Sequence, residues 1–257
     1  MIVVSARPLR DALWYAFAGY GKPLAEEENM MAGVWMDLEE NTLQVWGCNG
    51  RTVIHRSTVA AMITLEDSSP LLLEKKVVLQ ENGVRNLYNL IRRLPASSLV
   101  KIAPYGGIIH FDLPAGSSTF CRIRRTLEKD AVDSLLAHNH QTAMVNAVEF
   151  RRILQNIRGL VAVQALPPDM EPSRVFRGMA VGWENGRDGR RVVFRGEVPV
   201  FSTEAFPPFA VYASHLRQAL AGMRTAEIRI PEEGKAAPII IQGGNRMGVV
   251  MPVKFEI

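Results

Sequence analysis

Apolar residues along this chain recur at two spacings, one helical and one strand-like. Four segments repeat them every three or four positions, which puts a single apolar stripe on a helix. In Pro8-Leu9-Arg10-Asp11-Ala12-Leu13-Trp14-Tyr15-Ala16-Phe17 the stripe is Leu9, Leu13 and Phe17. In Val84-Arg85-Asn86-Leu87-Tyr88-Asn89-Leu90-Ile91-Arg92-Arg93-Leu94 it is Val84, Leu87, Ile91 and Leu94. Phe150, Ile153, Leu154 and Ile157 form the third stripe, and Leu216, Leu220 and Met223 the fourth. Gly19, Pro95, Gly159 and Gly222 stand where such helices should stop.

A short apolar strand precedes each predicted helix, at residues 2–4, 77–79, 143–145 and 210–212. Two or three further strands follow each one, at 33–38, 42–47, 99–103, 108–113, 180–183, 191–194, 227–230, 238–242 and 247–253. Glu39-Glu40-Asn41, Asn185-Gly186 and Gly243-Gly244-Asn245 read as hairpin turns between them. A strand–helix–strands unit therefore recurs four times, about every 65–75 residues, and such self-similarity marks a repeat architecture. Two units make a domain of ordinary size. The polar stretch 128–141 is long for a loop inside a domain and reads as a linker. The expected fold class is α+β, with domains at 1–130 and 131–257.

Composition adds limits. A hydrophobic fraction of 47% supplies real cores. No apolar run approaches the ~20 residues that span a bilayer. Met1-Ile2-Val3-Val4-Ser5-Ala6-Arg7 lacks a signal-peptide layout, so a cytoplasmic location is expected. Cys48 and Cys121 lie far apart outside any Cys-x-x-Cys pattern and read as free, packed thiols.

Charge changes the picture more. The chain is nearly balanced, with 30 basic and 26 acidic residues. Around the four predicted helices, however, stand Arg7, Arg10, Arg85, Arg92, Arg93, Arg151, Arg152, Arg158, Arg217 and Arg224, against only Asp11 and Glu149. Arginine is a good helix former and suits any solvated face. The same bias at equivalent places in all four repeats points instead to a shared electrostatic surface. Guanidinium forks match phosphate oxygens, and duplex DNA offers one negative charge per ~1.7 Å of axis. No side-chain set beside the arginines suits base-edge readout, so binding independent of DNA sequence is expected. Trp14, Tyr15 and Tyr88 offer rings for base stacking, but packing in the core or along a helix flank is the favoured reading.

Catalytic chemistry finds no support. His138 and His140 are the only close histidines and have no metal-ligand companions. There is no phosphate-binding Gly-x-x-x-x-Gly-Lys loop and no nucleophile elbow. The glycines at 243, 244 and 248 precede a strand, which a hairpin explains. Asp37, Glu39 and Glu40 read as a soluble acidic patch at a turn. The sequence implies no enzyme activity, no cofactor and no metal.

Three stretches carry a family resemblance: Met30-Met31-Ala32-Gly33-Val34-Trp35-Met36-Asp37-Leu38 through Cys48-Asn49-Gly50-Arg51-Thr52-Val53; Phe209-Ala210-Val211-Tyr212-Ala213-Ser214-His215-Leu216; and Gly248-Val249-Val250-Met251-Pro252-Val253-Lys254-Phe255. They resemble the bacterial DNA polymerase III beta subunit, the DNA sliding clamp. The resemblance implies two processivity-fold domains, each of two repeats, with helices inside and antiparallel sheets outside. It implies a processivity factor that encircles double-stranded DNA and tethers polymerase and clamp loader through short peptide motifs. The pocket for those peptides would be formed by Met31, Cys48, Gly50 and Val53 with Val249, Met251, Pro252 and Val253, and with Leu127 closing one side. Bacterial clamps have three domains and are usually acidic, so this chain looks like a shortened form without the first. Six domains close a clamp ring, so a homotrimer follows from the arithmetic, and a phage or mobile-element origin suits the shortening. A clamp-fold adaptor or inhibitor that does not encircle DNA is the other reading.

Overall fold

The structure, a computed structural model, describes residues 1–20, 31–50, 52–64, 71–132, 136–137, 140–166, 177–186, 189–198, 200–201, 209–231 and 237–253. Met30, Arg51, His138, Asn139, Lys254 and Phe255, parts of the 128–141 stretch and the turn after Gly186 lie outside the described residues. The repeat resolves into strand, helix and three strands, four times over. The first comprises β1 (Ile2–Ser5), α1 (Ala6–Tyr20), β2 (Gly33–Glu39), β3 (Thr42–Cys48) and β4 (Val53–Ile63). A single turn, α2 (Leu71–Glu74), leads into β5 (Lys75–Leu79), α3 (Glu81–Ile91), β6 (Leu99–Tyr105), β7 (Ile108–Asp112) and β8 (Ser118–Glu128). The third repeat is β9 (His140–Asn146), α4 (Ala147–Leu154), β10 (Leu160–Leu166), β11 (Arg177–Gly186) and β12 (Gly189–Val198), with a short β13 (Val200–Phe201) after it. The fourth is β14 (Phe209–Tyr212), α5 (Ala213–Ala219), β15 (Thr225–Pro231), β16 (Ile239–Gly243) and β17 (Arg246–Val250). The chain divides into two compact units, Met1–Asp133 and Ser134–Ile257, with two repeats in each.

Within a unit the two repeats exchange their opening strands. β1 pairs with β6 of the second repeat, and β5 pairs with β2 of the first. In the second unit β9 pairs with β15, and β14 with β10. Neither repeat can therefore complete a four-stranded sheet alone. In the first unit β1 also meets β4 and β5 also meets β8, so the eight strands close on themselves. Closure satisfies edge groups that would otherwise invite foreign strands.

The core of the first unit lies between the sheets and the helices. Leu9, Leu13 and Ala16 of α1 and Val84, Leu87 and Ile91 of α3 meet Val34, Met36, Val45, Val77, Ile102, Ile109 and Phe111 from the strands. Burying each large aliphatic side chain contributes roughly 1.5–3 kcal/mol. Phe150, Leu154, Leu216 and Leu220 do the same in the second unit.

Two glycines set how closely α1 approaches the sheet. A Cβ on Gly47 of β3 would stand 1.8 Å from the Ala16 carbonyl oxygen. One on Gly19 would stand 2.7 Å from both the Gly47 carbonyl oxygen and His55. Gly19, where the sequence predicts a stop, thus lies inside α1 as a packing glycine. The same contact stacks Tyr15 on His55, with ring centroids 4.4 Å apart, and brings His55 Nδ1 to 3.0 Å from the Tyr15 carbonyl.

Asp37 corrects another expectation. It is not a solvated turn residue but is 3% exposed, on the opposite face of β2 from the core. Trp46 Nε1 donates to Asp37 Oδ1 at 2.7 Å, and Lys76 Nζ stands 3.9 Å from Oδ2. Lys76 also donates to the Lys129 carbonyl, while Lys129 Nζ donates to the Leu38 carbonyl at 2.6 Å. The short turn Lys129–Ala131 is thereby fastened across β2 and β5. Burial raises the Asp37 carboxyl above its ordinary value of 3.8, and Lys76 and the Trp46 donor pull it back.

Candidate nucleic-acid interface

In the first unit α1 and α3 lie side by side. The buried residues of α1 leave Arg7, Arg10, Asp11, Trp14 and Ala18 on its outer stripe, while Phe17 is half-buried at the edge and packs against the core. The outer stripe of α3 is Asn82, Arg85, Asn86 and Asn89, continued past the helix end by Arg92 and Arg93. Arg85 joins the two helices: its guanidinium carbon sits 5.3 Å from the centroid of Phe17, which in turn meets Tyr88 edge-on at 5.8 Å. Tyr20 at the end of α1 donates to Glu81 at the start of α3 at 3.0 Å.

Glu81 modifies the charge count made from sequence. The helix begins three residues before Val84, so it includes an acid that pairs with Arg85 one turn on, at 2.5 Å. Gly83 stands in the first turn of this helix. In the fold it lets α3 pass over β8, since a Cβ there would lie 3.0 Å from Cys121 Cα. Arg10 meets Asp11 at 3.2 Å.

In the second unit α4 packs against α5. Asn146 caps α4 by accepting from Val148 N at 3.1 Å and Glu149 N at 3.2 Å, and Ala147 N donates to the Arg224 carbonyl at 3.0 Å. Arg151 and Arg152 fill the last turn of α4, and Arg217 that of α5, where positive charge also complements the helix dipole. Arg158 follows α4, and both it and Arg224 are exposed. Of the ten arginines, Arg10 and Arg151 are half-buried and the other eight exposed. Among the described residues only Arg10 and Arg85 of the ten are in ion pairs. Exposed guanidinium groups of this kind keep their capacity for phosphate oxygens.

Trp14 lies on the outer flank of α1. It is 44% exposed, while Trp35 and Trp46 are buried at 0% and 2%.

Of the residues assigned to a peptide pocket, Cys48, Gly50 and Val53 lie in and beside the turn from β3 to β4, at the end of the sheet where Met31 leads into β2. Cys48 pairs with Gly33 of β2 and with Ile54 of β4, and Met31 precedes Gly33 by two residues. Asn49 holds the turn, its Oδ1 accepting from Thr52 N at 2.9 Å and Val53 N at 3.0 Å, and Gly50 adopts a φ of 82°. Gly50 N lies 3.1 Å from Cys48 Sγ. Burial nonetheless lifts the Cys48 thiol to about 11 and the Cys121 thiol to about 12, so both stay protonated and free. Leu127 does not join this group. It pairs with Lys76, three strands across and four residues along from Cys48, a separation of roughly 20 Å. In the second unit Val249 is buried in β17, while Met251, Pro252 and Val253 are half-buried beyond it. Val253 N donates to the Ala210 carbonyl of β14 at 2.7 Å, which ties down this segment.

The fold is that of the bacterial DNA polymerase III beta sliding clamp. The chain superposes on a putative DNA polymerase III beta subunit from Eubacterium rectale with a TM-score of 0.74 at 15% identity, covering 99% of this chain and 66% of that one. For the DNA polymerase sliding clamp from Pseudomonas aeruginosa the TM-score is 0.75 at 14% identity, with 98% and 65% covered. For the sliding clamp from Bacillus subtilis it is 0.74 at 14%, with 99% and 64% covered. This chain thus spans 64–66% of the length of these clamps, and at such identity what is shared is the fold. No protein-family model and no curated sequence matches the chain.

Proposed function

We propose that the chain is a DNA sliding clamp, a processivity factor that surrounds duplex DNA and tethers polymerase and other replication proteins to it. The observation that carries this reading is the placement of the arginines. In a sliding-clamp fold, each unit turns five of the ten outward from its helices, and eight of them are exposed. Such a surface binds phosphates through counterion release, without sequence readout, and its weak contacts exchange as the protein moves along the duplex. Enclosure, not affinity, then holds the protein on DNA. In this reading the chain works in the cytoplasm on the nucleoid, catalyses nothing and needs no cofactor.

Two clamp units per chain make three copies the number that supplies six, and closed cyclic assemblies of identical chains are physically ordinary. The expected solution mass is about three times 28.6 kDa. The decisive experiment compares retention on circular DNA before and after a single cut. A ring slides off the cut ends, so retention should be lost on linearisation. Equal retention on both forms would mean ordinary surface binding and would sink the enclosure reading.

Partner capture is read onto the turn at residues 48–53 with Met31, and onto residues 249–253. In the first unit an adaptable methionine beside a small glycine turn suits short extended peptides, and in the second the half-exposed 251–253 segment, with Met251, is held in place by its bond to β14. Removing residues 251–257 is expected to abolish binding of polymerase-derived peptides in a fluorescence titration, with the solution mass of the assembly unchanged. Undiminished peptide binding would place the pocket elsewhere.

A further inference from the structure

We propose that Trp14 is a stacking platform for an unpaired nucleobase, so that the helix face of the first unit prefers a junction of single- and double-stranded DNA over uninterrupted duplex. The inference rests on the DNA-binding reading above. Its starting point is an indole 44% exposed in a chain that buries Trp35 and Trp46 almost completely. Arg7 and Arg10 precede Trp14 by seven and four positions, which on a helix puts all three on one solvent stripe. Phe17, three positions further on, lies under the Arg85 guanidinium and against Tyr88. Phe17 and Tyr88 are half-buried against the core, so among the aromatic residues of the two helices Trp14 is the exposed ring beside the arginines.

A surface that only gathers phosphates requires no exposed indole, since guanidinium groups suffice. Within an intact duplex the bases already stack on each other and offer the ring no free face. An unpaired base does, and a basic track set with aromatic side chains is how proteins hold single strands without reading sequence. An exposed tryptophan beside arginine is also how protein partners are anchored. On the two helices Arg7, Arg10, Arg85, Arg92 and Arg93 stand against Asp11 and Glu81, and this excess of positive charge suits a polyanion better.

The test uses the full chain and three probes: a blunt duplex, the same duplex with a single-stranded overhang, and the overhang strand alone. The wild-type chain should bind the overhang duplex about tenfold more tightly than the blunt one, equivalent to about 1.4 kcal/mol and at the lower end of base–aromatic stacking. Trp14→Leu should erase that preference and leave blunt-duplex affinity unchanged; Trp14→Phe should keep part of it. Quenching of tryptophan emission by the overhang strand should vanish in Trp14→Leu, with circular dichroism confirming an intact fold. A wild type without preference, a Leu variant that retains it, or an equal loss on both duplexes would overturn the proposal. Failure of the underlying reading looks different: blunt-duplex binding would then be indifferent to salt and to alanine at Arg92 and Arg93.

Discussion

Lys76→Met is expected to remove about 3–5 kcal/mol of stability at neutral pH, the usual cost of breaking a buried ion pair from one side. The Asp37 and Lys76 side chains are each 4% exposed, so neither charge has water to fall back on. Methionine fills much of the lysine volume, which leaves the lost charge, and not a cavity, as the main defect. The remaining carboxylate keeps the Trp46 N–H and the more distant Lys129. Its pKa should rise further, because burial already outweighs its partners in the wild type. A carboxyl raised in the folded state binds its proton more tightly there than in the unfolded chain. The penalty is therefore absent where both forms are protonated, below about 3.8, and grows as pH climbs towards the folded-state value. Urea denaturation of the variant should show its deficit shrinking as pH is lowered from neutral into the mildly acid range. The double replacement Asp37→Asn with Lys76→Met removes both charges and should recover most of the loss. A deficit that does not change with pH would show that the carboxylate is not its source.

That pair also marks the limit of what the chain discloses in one dimension. The four repeats, their opening strands and the inward faces of their helices are legible because apolar spacing is a local signal, set within a few residues. Asp37 and Lys76 meet only because β5 crosses into the sheet of the first repeat, and nothing near position 37 announces a cation on a neighbouring strand. β4 is hidden for a related reason: its inward positions include His55 and Ser57, both buried, so the apolar alternation breaks where the strand is most enclosed. β8 puts Thr119 and Cys121 inward and leaves Phe120 53% exposed, which reverses the expected pattern. β10, by contrast, is a plain apolar run after Gly159 that sequence reading passes over in following the helices. At the candidate interface, the outward stripe of arginines follows from the apolar stripe opposite it. Glu81 beside Arg85, the exposure of Trp14 and the distance of Leu127 from the Cys48 turn all depend on helix starts and strand register, which composition does not fix.

The arginines themselves support the second large effect. Replacing Arg92, Arg93, Arg151 and Arg152 together by alanine is expected to make the dependence of log affinity on log salt shallower by about 3 to 4, close to 0.9 for each phosphate contact removed. Affinity at low salt should fall by orders of magnitude, because counterion release is the dominant favourable contribution when no base is read. Folding should survive: three of the four are exposed and Arg151 is half-buried, and substitutions away from packed or paired groups usually stay within about 0.5 kcal/mol each. Lysine at the same four positions separates charge from geometry. It should restore most of the slope, since the slope counts cations, while leaving affinity below wild type, since the bidentate fork is lost. Measured by anisotropy with duplexes of unrelated sequence, the alanine variant should weaken equally on all of them. A slope unchanged by the four alanines would mean that phosphates bind elsewhere on the molecule. The outward helix faces would then be merely soluble, and a clamp fold without enclosed DNA would become the better account of this chain.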